Sequence, residues 1–375
     1  MKILFLNHEF PPIGGGGGAW TLDISRFLKH RGHEIKVVTS HNKGLPRHEL
    51  VEGVSVIRLP SLRIELFRAS FLSMGFYIIG SFFYSLLLII RWRPDIIQVV
   101  FAVPAGVVGL LLSKMTGIPY VISAHLGDVP GGVPEKTHKW FRWIFPATVP
   151  VWRNAARITA VSHHTGSLIQ ESYHLQSIII PNGYDPKKIQ PQAIQLNIPP
   201  IIVFAGRFVL QKNLSVLIEV LSSLEDLPWQ CKLVGDGPLR KSIEQSLIEK
   251  GLTERFEITG WLTPDEVVDQ LRCCDLLFMP SLSEGLSIAG VHALAVGLAI
   301  VAYDVGGFDE LVKNDVNGFL AKPGEKQKLT EGLQTYLENP KKLLSARKAS
   351  LAHAKRFDLN LIVDAYEQIY HEVLK

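Results

Sequence analysis

Short apolar runs bounded by glycine, proline or polar residues recur along this chain, and most lead into a stretch with apolar positions at helical spacing. The runs at 2–6, 34–40, 54–59, 96–100 and 120–123 predict strands, with helices expected over 19–30 and 104–115. A further run at 178–180 precedes a polar stretch holding Pro191, Pro199 and Pro200, which reads as a linker. The alternation then resumes with strands at 201–205, 232–234, 256–259, 276–279 and 299–303 and a helix over 214–224. Strand and helix in alternation give a parallel sheet covered on both faces, here twice over. Two α/β domains are expected, 1–190 and 191–355, followed by a terminal helix within 356–375.

Composition agrees with two ordinary cores: the chain has 375 residues, 47% apolar and 20% charged. Cys231 and the adjacent Cys273 and Cys274 offer neither a disulfide framework nor a spaced metal set, which favours a reducing compartment and buried thiols. Because the first strand begins at Lys2, no signal peptide is expected.

Three turns carry candidate chemistry. The segment 281–307 reads as loop, helix start, helix, strand and a second glycine-rich turn, and it sets Glu284 beside the unpaired amides of a helix N-terminus. Such amides attract phosphate oxygens, while a carboxylate accepts from sugar hydroxyls. The run 201–205 ends in Gly206-Arg207, with Lys212 five residues on, so a guanidinium fork and an ammonium can converge on one diphosphate. After the first strand, Pro11-Pro12-Ile13 and the run Gly14 to Gly18 open a helix where backbone can approach a ligand closely. The spacing is not that of the dinucleotide fingerprint, and no acidic residue ends the second strand.

In this order, with Ser123-Ala124-His125-Leu126-Gly127-Asp128, Ala160-Val161-Ser162, Pro181-Asn182-Gly183-Tyr184-Asp185, Val234-Gly235-Asp236-Gly237-Pro238 and Gly260-Trp261, these residues resemble family 4 of the retaining nucleotide-sugar glycosyltransferases. The resemblance spans nearly the whole chain and implies the GT-B fold, two facing Rossmann-like domains with a C-terminal helix that crosses back to the first. It implies that Arg207 and Lys212 hold the donor diphosphate, that Glu284 binds donor-sugar hydroxyls, and that His125 touches the sugar. Amides of Gly16, Gly17 and Gly18 and of Gly285, Leu286 and Ser287 would face phosphates or sugar. The family's second glutamate, eight positions after the first, is His292 here, which leaves the nucleotide open between UDP and GDP. Leu286 stands where a phenylalanine is common.

Charge divides unevenly: residues 1–160 hold 18 Lys and Arg against 9 Asp and Glu, the remainder 21 against 26. A basic acceptor half points to an anionic partner such as a membrane surface or a phosphate-linked lipid, and no nucleic-acid module is visible. Residues 71–90 carry no charge and are long enough to span a bilayer, but they sit inside a βα alternation that must return to one sheet, so spanning is rejected. A buried helix and one with an apolar face in the membrane interface both remain. Residues 136–145 mix cations with aromatics, so Lys139, Trp140, Arg142 and Trp143 suit the headgroup boundary, or else an acceptor cleft or core.

The expected activity is metal-independent hexosyl transfer without a cofactor, since no Asp-x-Asp signature is present. The acceptor would be a saccharide or lipid-linked, and the location cytoplasmic, peripheral on the inner face of the membrane. A nucleotide-sugar epimerase on the same fold, or a non-catalytic sugar-nucleotide-binding subunit, are the alternatives. The epimerase lacks an obvious carboxylate pair, and retention of Arg207, Lys212 and Glu284 argues against the subunit.

Overall fold

The structure, a computed structural model, describes residues 1–66 and 69–375, and for residues 135–140 and 142 it describes the backbone alone. Two compact units are present, Met1–Pro181 with Leu359–Lys375, and Asn182–Asp358.

The first unit is built on eight strands: β1 Lys2–Leu6, β2 Glu34–Ser40, β3 His48–Val51, β4 Val54–Leu59, β5 Ile96–Val100, β6 Tyr120–Ala124, β7 Arg157–Ala160 and β8 Ile178–Ile179. Their order in the sheet is β3-β4-β2-β1-β5-β6-β7-β8, parallel except for β3 against β4. The chain works outward from β1 in one direction and then outward from β5 in the other, so strand order reverses between β1 and β5. Both faces are covered. Ile3 and Phe5 pack under helix Gly16–His30 and the terminal helix Leu359–Leu374, while Leu4 and Leu6 face Tyr77, Leu112 and Trp152. Strands buried on both sides read as continuous apolar runs, which is why they were legible.

The terminal helix, which the family resemblance placed on the first domain, belongs to this unit and is tied to it by specific contacts. Arg31 pairs with Asp364 and Glu367, the Tyr370 hydroxyl donates to Gln98 Oε1 at 2.7 Å, and the Tyr366 ring meets Trp20 at 5.4 Å.

The second unit holds β9 Ile201–Ala205, β10 Gln230–Val234, β11 Phe256–Gly260, β12 Leu276–Met279, β13 Ala299–Tyr303 and β14 Gly318–Ala321, all parallel, in the order β11-β10-β9-β12-β13-β14. Order reverses between β9 and β12. The unit begins at Asn182, before the expected boundary at 190, because residues after Pro181 are tied into it: Asn182 Nδ2 donates to Leu286 O at 2.7 Å, Tyr184 N to Phe357 O at 2.9 Å, and Asn197 Nδ2 to the buried Asp275 at 2.9 Å. The proline-rich stretch expected to be a linker is therefore packed on this unit.

Candidate active site

In a doubly wound sheet, ligands bind beyond the carboxyl ends of the strands where the order reverses, because loops there diverge and leave a crevice. Each unit has one such point, and the candidate residues fall at both.

In the second unit, the loop after β9 carries Gly206, Arg207 and Lys212, and the loop after β12 carries Ser281 to Ser287. One backbone bond and one side-chain bond hold the two together: Leu282 N donates to Gln211 O at 2.8 Å and the Gln211 side-chain Nε2 donates to Ser283 O at 2.9 Å. That brings the Lys212 ammonium into an ion pair with the Glu284 carboxylate, side chains 17% and 9% exposed. A pair so shielded interacts more strongly than a surface pair, yet its members retain a solvent-facing side for a ligand. Arg207 is half-buried on the same loop. Phe208 N donates to Asp236 O at 2.8 Å and Leu239 N to Phe208 O at 3.1 Å, so the Gly235-Asp236-Gly237 segment is tied to the loop that carries Arg207.

Glu284 is fixed from behind by a residue type that cannot change. Gly306 has φ +59°, and a Cβ there would lie 1.6 Å from Glu284 O. Gly307 N also bonds Gly285 O at 2.8 Å, so the glycine turn after β13 is a brace for the carboxylate loop. Ser287 caps helix Ile288–Ala295, accepting from Gly290 N at 3.1 Å. With Gly290 N taken by that cap, the Ile288 and Ala289 amides are the first-turn donors directed at the end of β12. Leu286 is buried and its backbone carbonyl accepts from Asn182 Nδ2. His292 lies within that helix, and desolvation of its ring lowers its pKa to about 4, so it is a neutral imidazole at physiological pH.

The first unit's site is of different construction. Its helix starts at Gly16, three residues before the expected start, so Gly16, Gly17 and Gly18 form the first turn. Gly17 is required by packing: a Cβ there would lie 2.4 Å from the Phe101 ring. Gly16 is exposed, whereas Gly17 and Gly18 are buried, and the Gly18 amide already donates to Gly15 O at 3.1 Å. The amide before the helix, Gly15 N, donates to Glu9 Oε2 at 3.1 Å. Glu9 went unread in the sequence; an acid in the turn before a helix was the signal available.

His125 sits at the end of β6, its ring 5.0 Å from Phe101 and 5.7 Å from Trp20. Burial lowers its pKa to about 4, and its Nε2 atom is buried without a hydrogen-bond partner. A buried polar atom left unsatisfied is costly, so Nε2 is a ready donor or acceptor for a substrate hydroxyl. Asp128 supports this turn from within: its carboxylate accepts from Ala102 N at 3.0 Å and His125 N at 3.3 Å, joining the ends of β5 and β6, and burial raises its pKa well above the usual value.

The aromatic-basic segment forms helix Pro134–Arg153. The side chains of Lys139, Trp140 and Arg142 lie outside the described residues. Trp143 is 86% exposed, while Phe145, grouped with it in the sequence, stacks on Tyr173 at 5.1 Å against the core.

Two family models match the chain, Glycosyltransferase Family 4 over residues 14–188 and Glycosyl transferases group 1 over residues 186–352. The 2-deoxystreptamine glucosyltransferase of Streptomyces kanamyceticus is 28% identical over 88% of this chain and 91% of its own length. Among solved structures, a sucrose-phosphate synthase from Thermosynechococcus elongatus superposes with TM-score 0.86 at 19% identity, covering 99% of this chain and 98% of that one. The Anabaena protein HepE, crystallised with UDP-glucose, gives 0.78 at 22% identity over 98% of each chain.

Proposed function

This chain belongs to the family 4 glycosyltransferases of GT-B fold, and we propose that it moves a hexose, with retention of anomeric configuration, from a nucleoside-diphosphate sugar to a lipid-linked or polysaccharide acceptor at a membrane surface. The observation that carries this reading is the Lys212–Glu284 pair beside Arg207, at the point where strand order reverses in the second sheet. Lys212 and Arg207 neutralise the diphosphate, the amides at the start of helix Ile288–Ala295 receive its oxygens, and Glu284 accepts from sugar hydroxyls.

In the reaction the bond from the anomeric carbon to the diphosphate oxygen breaks and its electron pair leaves with the phosphate. The acceptor oxygen bonds to the same face of the sugar, and its proton passes to the departing phosphate oxygen. Charge grows on the leaving group and on an oxocarbenium-like ring. Two fixed cations do the main work by stabilising that phosphate without reorganisation, and this assigns no step to a metal. Neutral His125 serves a substrate hydroxyl, and Glu284 holds the sugar instead of attacking it. UDP is the first candidate nucleotide, on the strength of the Anabaena protein's bound UDP-glucose. The neutral His292, in place of an acid, contacts a ribose hydroxyl only as a weak partner.

The test is incubation with a panel of UDP- and GDP-hexoses followed by NMR of the anomeric proton in the product. An axial donor sugar should appear as an axial glycoside. An inverted product would reject retention, and neither transfer nor donor hydrolysis with any member would reject the activity.

A further inference from the structure

The helix Phe71–Trp92 wears its polarity inside out. The residues it buries against the first unit are Ser73, Tyr77, Ser81, Ser85 and Ile89, one every fourth position and three of them serine. The residues it turns to solvent are Leu72, Phe76, Ile79, Phe83, Leu87 and Ile90, each between 44% and 65% exposed. At that spacing they form a single stripe, about 27 Å long at 1.5 Å per residue. A surface helix of a soluble domain has the opposite arrangement. The neighbouring helix Val107–Thr116, which packs against it, adds exposed Leu111 and Met115. Large exposed apolar surface of this kind marks an interaction site.

Deepening the membrane-surface reading above, on which it rests, we propose that this stripe lies in the interfacial layer of an anionic bilayer with the helix axis in the membrane plane. Spanning is excluded by how the helix is held. The Tyr77 hydroxyl donates to Val38 O at 3.2 Å inside the core, and Trp92 Nε1 donates to Glu34 at 3.0 Å, so both ends are pinned to the sheet. Charge selects lipid over a second copy of the chain. The stripe ends in exposed Arg91 and Arg93, with exposed Lys114 on the adjoining helix, and the first turn of the helix has no acidic residue that could meet those cations in a paired copy. Anionic headgroups supply the missing counter-charge, while acyl chains receive the Phe, Leu and Ile side chains.

The experiment is co-sedimentation of the full chain with vesicles of phosphatidylglycerol and phosphatidylcholine, beside vesicles of phosphatidylcholine alone. The wild type should bind the anionic vesicles. Phe83→Asp with Leu87→Asp should lower the partition coefficient at least tenfold while leaving the melting temperature unchanged, since both side chains already face solvent. Leu50→Asp, at an exposed site on β3, should change nothing. If the double variant binds as well as wild type while Trp143→Ala does not, the stripe is not the contact and the inference falls, though the membrane reading stands. If the wild type binds no vesicle, both fall. If the wild type is a dimer that the double variant converts to monomer with vesicle binding intact, the stripe belongs to a second copy and the inference is wrong.

Discussion

The two points of strand reversal share a topology and differ in chemistry. At the end of β9 and β12 the second unit places an ammonium, a guanidinium and a shielded carboxylate on loops braced by glycine. In the first unit the order reverses between β1 and β5; the helix N-terminus after β1 is attended by the chain's own Glu9, and after β6, the strand next to β5, a neutral imidazole sits among aromatic rings. On the function proposed above, the same α/β topology would serve an anion in one unit and uncharged hydroxyls in the other. Topology decides where a ligand goes; side-chain charge decides which ligand.

The sharpest way to break that contrast is to remove the anion site's charge. Lys212→Ala should lower kcat by about a hundredfold or more, the loss typical when a group stabilising transition-state charge is deleted. It also strands Glu284 without its partner, costing about 1–3 kcal/mol of stability. Adding Glu284→Gln should recover much of that stability but none of the activity, which steady-state kinetics and melting curves would separate.

Gly306→Ala comes next. Its Cβ would collide with the Glu284 carbonyl, and the positive φ adds strain of about 1–3 kcal/mol. The expected outcome is a raised KM for the donor with a modest fall in melting temperature; an unchanged KM would show that the brace does not shape the sugar contact.

The pH response tests the two neutral imidazoles, one in each unit. His125 and His292 both have native pKa values lowered by burial to about 4, against an ordinary value near 6.5. Between those values these two groups bind more protons in the unfolded chain than in the native one, so their contribution to stability rises with pH from about 4 to 6.5 and gains nothing above it, while buried Asp128, its pKa raised, contributes with the opposite sign. His125→Gln should flatten part of that slope in urea titrations at several pH values. The smallest effect is expected from Glu9→Gln, which weakens a carboxylate at a helix N-terminus and should cost about 0.3–1 kcal/mol.

Strands β1, β2, β5, β6, β9, β12 and β13 were readable because burial on both faces forces long apolar runs. Strand β3, with alternating half-exposed positions, and β14, with a glycine and mixed burial, gave no such signal. The helix over Gly16–Gly18 was hidden because glycine is a poor helix former; contact with Phe101 overrides propensity there. Pro146 and Pro150 concealed helix Pro134–Arg153 in the same way. Arg207, Lys212 and Glu284 stand out by charge in the sequence, and the structure brings Lys212 and Glu284 together. The brace from Gly306 and the bonds from Gln211 do not stand out, because they join residues far apart in the chain.

If the donor diphosphate rests on Arg207 and Lys212, UDP should raise the melting temperature only when both cations are present. A ligand at a hundred times its Kd stabilises the native state by about 2.7 kcal/mol, a readily measured rise in melting temperature. The account predicts that rise for the wild type and its loss in Arg207→Ala and in Lys212→Ala, each compared with its own ligand-free melting point. A full shift retained in both variants would contradict it.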